Sequence, residues 1–333
     1  MKLIGLSCGR KNGNSEMLLK ESMMAAQEVA DIEVEIIRLL DFDLNPCTGC
    51  ESCTLSMMQG GDGLCRVHKG KDDMFMLRDK FVEADGMIIA APVFCLTAPG
   101  HLKVMHERFL GYGPEFLMSV FGSSKIKPKI GATIAVGGTD WTHPALPLMN
   151  IPLFMLQYSV VDQLLVNWVA RPGHVLLKDE EMAKARRLGQ RVGSSMGKPV
   201  EELRYLGDDP GVCPMCHSNM MMLSKKRQVV CPICDITGEL SIENDEVVVS
   251  FSPEAIRHGR WFDDSMRGHF GDVLRQHKIF NERKAEVKEK GKKYRNYAPY
   301  LKAKAATTTD EDEDGDDSIA WAEALQPAAQ SVS

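Results

Sequence analysis

The sequence predicts an α/β fold: a doubly wound parallel sheet of five strands, with smaller segments appended after it. Three observations carry this. Short runs rich in Val, Ile and Leu recur along the first two hundred residues, helical stretches separate them, and the first run breaks into a Gly/Asn-rich turn directly before a helix. Strands that read as continuous apolar runs are buried on both faces, as in a parallel sheet. A chain of 333 residues has room for about two domains.

The first strand is MKLIGLS, followed by CGRKNGNS and a helix over 14–30. A buried strand feeding a helix through such a turn leaves unpaired N–H groups at the positive end of the helix dipole, which suits a phosphate. Asn14 or Ser15 is the expected N-cap, and Arg10 and Lys11 add positive charge. The turn is neither a Walker A loop nor a GxGxxG fingerprint, because its glycines stand at 5, 9 and 13 and no G-K-[ST] follows. Further strands are read at 33–40, 86–91, 129–136 and 160–166, and further helices at 72–84, 100–110, 144–157 and 180–196. Five such units without a second nucleotide fingerprint imply the flavodoxin-like order 2-1-3-4-5, which places a ligand beyond the carboxyl ends of strands one and three.

The sheet domain is expected over 1–198, with a cysteine loop at 46–65. Pro199, Gly207, Pro210 and Gly211 mark a boundary. A four-cysteine ribbon module follows at 212–251, then a mainly helical extension at 252–304 and a disordered acidic tail at 305–333. Without the seven acidic residues of 310–317, the formal charge of −6 becomes +1. So balanced a body argues against nucleic acid as a partner, and the basic stretch 278–304 reads as a solvated helix face. No eighteen-residue apolar run or signal-peptide pattern is present, so no membrane is expected. Ten cysteines, most of them in C-x2-C spacings, read as reduced thiols kept for metal in a cytoplasmic protein.

Three strand ends carry turns that fit one flat ligand. They are the phosphate loop, the stretch Ala91-Pro92-Val93-Phe94-Cys95-Leu96-Thr97-Ala98-Pro99-Gly100 and the stretch Gly137-Gly138-Thr139-Asp140-Trp141. Pro and Gly allow the backbone to approach a ring, and Phe94 or Trp141 offers a face to cover it. Cys95 reads as a buried free thiol. These turns, with Leu102-Lys103 and Glu107-Arg108, resemble the NADPH-dependent FMN reductase family of flavodoxin-like proteins over roughly the first 195 residues. The resemblance implies FMN, with phosphate contacts from Ser7, Arg10, Asn14 and Ser15. It implies ring contacts from Pro92, Val93, Phe94, Gly137 and Gly138, and a homodimer or higher homo-oligomer. The family's serine before Pro-Arg is missing here, with Cys8 at or beside its place, which weakens the case for Ser7.

Cys47, Cys50 and Cys53 stand at x2, x2 spacing, and Cys65 follows after a Gly-rich stretch. Three thiolates in one run suit a corner of a [4Fe–4S] cluster, whereas structural zinc usually takes two separated knuckles. Zinc and bare thiols remain as alternatives. The arrangement also resembles the iron–sulfur flavoproteins, although the spacing to Cys65 is longer than theirs. Cys213, Cys216, Cys231 and Cys234 form C-x2-C-x14-C-x2-C, a zinc spacing. Rubredoxin-type iron is the alternative, disfavoured because His217 and Asp235 follow the knuckles where glycine is usual.

The leading functional reading is an oxidoreductase in which FMN exchanges electrons with NAD(P)H or another donor and a cluster relays them to a small-molecule or protein acceptor. An electron-carrier or docking subunit without its own small-molecule substrate is the contrasting reading, and a redox sensor is a third.

Overall fold

The computed structural model describes residues 1–109, 129–295, 297–299 and 301, so the expected acidic tail lies outside the described residues. Contacts divide the chain into two units, Met1–Gln276 and His277–Ser333.

The first unit is built on a parallel sheet of β1 (Lys2–Ser7), β2 (Glu33–Arg38), β3 (Gly86–Pro92), β4 (Lys129–Val136) and β5 (Tyr158–Val166), in the order β2-β1-β3-β4-β5. Alternate residues feed opposite faces. Ile4, Leu6, Met87 and Ile89 pack on α3 (Met74–Glu83), α4 (Gly100–Glu107) and α5 (Ala145–Met155). Leu3, Ile88, Ile134 and Val161 pack on α1 (Asn14–Val29) and α6 (Asp179–Ser195). A short helix inside the cysteine loop, α2 (Ser52–Met58), went unread in the sequence because it buries no residue and shows no apolar stripe.

Helices α1 and α6 cross at small residues. Ser22 Oγ donates to Leu18 O at 2.9 Å and Ala185 O at 2.8 Å. A Cβ on Gly189 would overlap the Ser22 carbonyl.

A second, antiparallel sheet holds β6 (Met222–Leu223), β7 (Gln228–Val230), β8 (Thr237–Glu243) and β9 (Glu246–Ser250). It docks on the first sheet through a buried polar chain. Thr133 Oγ1 donates to Asn150 Oδ1 (2.9 Å), Asn150 Nδ2 donates to Cys216 O (3.2 Å) and to Gln163 Oε1 (3.0 Å), and Gln163 Nε2 donates to His217 O (3.2 Å). Phe154 stacks on Trp261 beside it, with centroids 5.5 Å apart. Helices Pro253–Arg257 and Asp263–Glu282 follow. In the second unit, Lys284–Gly291 carries the exposed pair Lys290–Glu286 on one face. Among the described residues no helix is long and apolar enough to cross a membrane.

Gly189→Ala should lower stability by about 1–3 kcal/mol or more through overpacking at the α1–α6 crossing. Gly268→Ala, where an added Cβ meets nothing within 4 Å, should be neutral or stabilise by roughly 0.5–1 kcal/mol. Urea unfolding of the two variants checks the contrast, and equal midpoints would contradict it.

Candidate functional site

The carboxyl ends of β1, β3 and β4 open onto a cavity of about 630 Å³. Its floor is the turn into α1. The N-cap is Gly13, not Asn14 or Ser15, and no side chain caps the helix. The start of a sixteen-residue helix is therefore left to another acceptor. Arg10, Asn14 and Ser15 line this end of the cavity. A Cβ on Gly9 would lie 2.8 Å from Ser15 Oγ and 3.2 Å from Pro92 Cδ, so glycine is needed for the loop to close on its neighbours.

Asn14 is committed elsewhere. Its Nδ2 donates to Val169 O (3.0 Å) and Arg171 O (2.8 Å), and its Oδ1 accepts from Val175 N (3.2 Å). It clips the turn before α1 to the segment after β5, which supplies Val169, Ala170 and Pro172 to the cavity wall. That fourth wall was missed in the sequence, although Arg171-Pro172-Gly173 is a turn signal. Ser7 does not line the cavity. It is fully buried, and its Oγ donates to Glu16 Oε2 at 3.2 Å. Glu16 also accepts from Asn12 N (3.1 Å) and pairs with Lys20 (2.7 Å). Burial raises its pKa, but these partners outweigh burial and hold the carboxyl below its usual value.

Pro92, Val93, Phe94 and Gly138 line the opposite side, with His101 from the first turn of α4. Gly137 lies behind them, its N–H on Val166 O (2.8 Å) and its carbonyl taking Val169 N–H (3.2 Å). Phe94 is 58 % exposed at the rim, while Trp141 lies outside the lining. Cys95 is exposed, not buried, because it turns with Leu96 through left-handed backbone (φ 50° and 79°). His101 Nε2 lies 2.9 Å from Cys8 O. Burial depresses the His101 pKa despite that carbonyl, so the ring is neutral near pH 7. Burial also pushes the Cys8 thiol up to about 12, so it is no nucleophile.

Cys47, Cys50, Cys53 and Cys65 line one further cavity of about 170 Å³. At roughly 30 Å³ per water molecule in the liquid, that is room for a group of several atoms. Left-handed backbone at Gly49 and Glu51 curls the loop, and Gly49 N–H reaches Cys47 Sγ at 3.5 Å. Burial raises the Cys50 thiol, but hydrogen bonds from Ser52 and Thr48 hold it below its ordinary value. The excursion is closed at its neck by a buried ion pair. Arg108 Nη1 donates to Asp72 Oδ2 (2.6 Å) and Asn45 O (2.5 Å), and Asn45 N–H donates to Asp72 Oδ2 (3.1 Å).

The ribbon cysteines are fully buried, with all four sulfurs within 4.8 Å of one another and Cys216 Sγ 3.5 Å from Cys231 Sγ. Thiolates about 2.3 Å from one tetrahedral ion stand about 3.8 Å apart, so this set fits a single ion. Hydrogen bonds from Cys213, Cys216 and Cys234 hold the Cys231 thiol far below the usual range. His217 and Asp235 take the left-handed backbone expected of glycine after each knuckle (φ 57° and 60°). Among the described residues the first cysteine set is not gathered so closely. Wider spacing is what a cluster with one thiolate per iron requires.

A roomy cleft at the carboxyl edge of a 2-1-3-4-5 sheet, beside an uncapped helix start, defines a flavodoxin-like protein. Residues 1–166 match the NADPH-dependent FMN reductase family. An iron–sulfur flavoprotein of Methanocaldococcus jannaschii is 31% identical over 162 residues, covering 48% of this chain and 75% of the relative. A flavone synthase, cfoJ, of Aspergillus candidus is 28% identical over 261 residues, covering 74% of this chain and 80% of the relative. A solved flavone reductase shares the fold, with a TM-score of 0.73 at 24% identity over 91% of this chain and all of that one. The chain belongs to the NADPH-dependent FMN reductase and iron–sulfur flavoprotein family, and is an oxidoreductase.

Asp72→Asn should cost about 3–5 kcal/mol, because it removes the carboxylate that faces the buried Arg108 guanidinium. Burial raises the Asp72 pKa, but Arg108 and the Asn45 amide outweigh it and hold the carboxyl low. Its contribution should therefore be intact above the unfolded value of about 3.9 and fade as pH falls through the lower folded one. Limited proteolysis within 46–71 across pH, in both proteins, reads this directly. Equal resistance in wild type and Asp72→Asn at pH 7 would contradict it.

Proposed function

We propose that this chain is an FMN-dependent, NAD(P)H-linked oxidoreductase that passes electrons through a [4Fe–4S] cluster held by Cys47, Cys50, Cys53 and Cys65. The observation that carries the flavin reading is the uncapped start of α1 beside Arg10 and Ser15, opening into a cavity of flavin size. Arg10 and the first amides of α1 would hold the FMN phosphate, with Asn14 fixing the loop. Pro92, Val93, Phe94 and Gly138 would bound the ring, and Ser7 and Gly137 would support the turns from behind. When bound, FMN accepts electrons in pairs and a cluster takes them singly, so together they convert one currency into the other.

The cluster reading is supported by four cysteines on one cavity larger than a single ion needs. In the ribbon, the close convergence of sulfurs supports a structural zinc. Phe94, Leu96, Trp141 and Trp168 are exposed at the carboxyl edge of the sheet, an apolar rim that supports a homodimer or a higher homo-oligomer. Thiols kept for metal suit the reducing cytoplasm. The acceptor is a small molecule or a protein.

A second reading keeps FMN but leaves the first cysteines bare, and uses the cleft for a flat conjugated substrate. Exposed Phe94 at the rim favours it, as does the similarity to flavone synthase over 74% of the chain.

Arg10→Ala should weaken FMN by about 1.5–3 kcal/mol through loss of a charge-assisted phosphate contact. Titration of apoprotein with FMN, followed by quenching of flavin fluorescence, measures it, and unchanged affinity would remove the phosphate assignment. Cys50→Ala, purified without oxygen, should keep FMN and its reduction by NADH or NADPH but lose transfer to a one-electron protein acceptor. Transfer at the wild-type rate would leave the second reading in place.

A further inference from the structure

The residues lining the cavity of the four loop cysteines include His68. His68 Nε2 is buried and has no hydrogen-bond partner among the described residues, although the ring belongs to a partly exposed residue. A buried ring nitrogen without a partner is destabilising, so such atoms are rare unless a group completes them. The backbone around it is settled: His68 O accepts Lys71 N–H at 3.1 Å, just before the Asp72 neck. His68 stands three residues after Cys65, the buried member of the set, and both face the same cavity. Of the ionic side chains lining it, Arg108 pairs with Asp72, Glu107 pairs with Lys103, and Glu51 is itself engaged.

We propose that His68 Nε2–H donates a hydrogen bond to a sulfur of the cluster bound by Cys47, Cys50, Cys53 and Cys65, making His68 a positioning residue that raises the cluster's reduction potential. This rests on the cluster reading above. Four cysteines already supply one thiolate to each iron of a cubane, so a fifth side chain at the cavity acts on sulfur instead of iron. Thiolates and bridging sulfides accept N–H bonds, and such bonds favour the more negative, reduced state. Nothing is transferred in the process, and the imidazole keeps its proton.

The test uses the full chain purified without oxygen, as wild type, His68→Leu and His68→Gln. Iron and sulfide are counted first, and cluster and flavin potentials are then measured by titration followed by electron paramagnetic resonance and absorbance. Both variants should retain the wild-type iron and sulfide. The cluster potential should become more negative in His68→Leu and stay near wild type in His68→Gln, which keeps an N–H donor, with the flavin potential unchanged throughout. An unchanged cluster potential in His68→Leu would overturn the proposal. Loss of iron from both variants would also overturn it, by making His68 a ligand. Absence of iron from the wild type would defeat the cluster reading itself, and the two failures are told apart before any variant is compared.

Discussion

One buried carboxylate holds the turn on which the cleft depends. Glu16 is 3 % exposed, and an ionised carboxylate so placed is costly unless its oxygens are satisfied. Ser7, Asn12 and Lys20 satisfy it. Their geometry ties Ser7, the last residue of β1, to the first turn of α1, so the chain turns tightly and the helix begins without a side-chain cap. An uncapped helix start at the carboxyl end of a parallel strand has amides and a dipole suited to an anion. Asn14 extends the same frame by binding two carbonyls and an amide of the loop after β5, which closes the far wall.

The second constraint is the Arg108–Asp72 pair, which gathers both ends of the cysteine excursion onto the end of α4. The first turn of the same helix presents His101 to the cleft and touches the phosphate loop at Cys8 O. One eight-residue helix therefore lines both cavities, with His101 at its start and Glu107 at its end. The ribbon reaches the sheet differently, through the Thr133–Asn150–Cys216 chain, and its knuckle carbonyls are held by side chains of α5 and β5. Such a buried network is stable only when every member is paired, so the ribbon fold and the sheet edge support each other.

The inner strands β1, β3 and β4 were legible because they are buried on both faces and so appear as apolar runs. The 129–136 strand was read at both ends, while the fifth strand begins two residues before its apolar run because Tyr158 fills core space. The cleft was legible as motifs, and Arg10, Ser15, Pro92, Val93, Phe94 and Gly138 do come together. What could not be read was the use of side chains across long separations. Asn14 looks like an N-cap by local rules, yet its partners lie more than 150 residues away. Ser7 looks available until Glu16 claims it. His68 carries no spacing signal strong enough to be noticed, and only the shared cavity sets it among the cysteines.

The central claim is that one chain joins a two-electron centre to a one-electron centre. An anaerobic reductive titration of the purified full-length protein with dithionite, counted against bound FMN, tests it most directly. The account predicts uptake of three electrons per chain, two by FMN and one by the cluster. Saturation at two, with flavin fully bound, would contradict it.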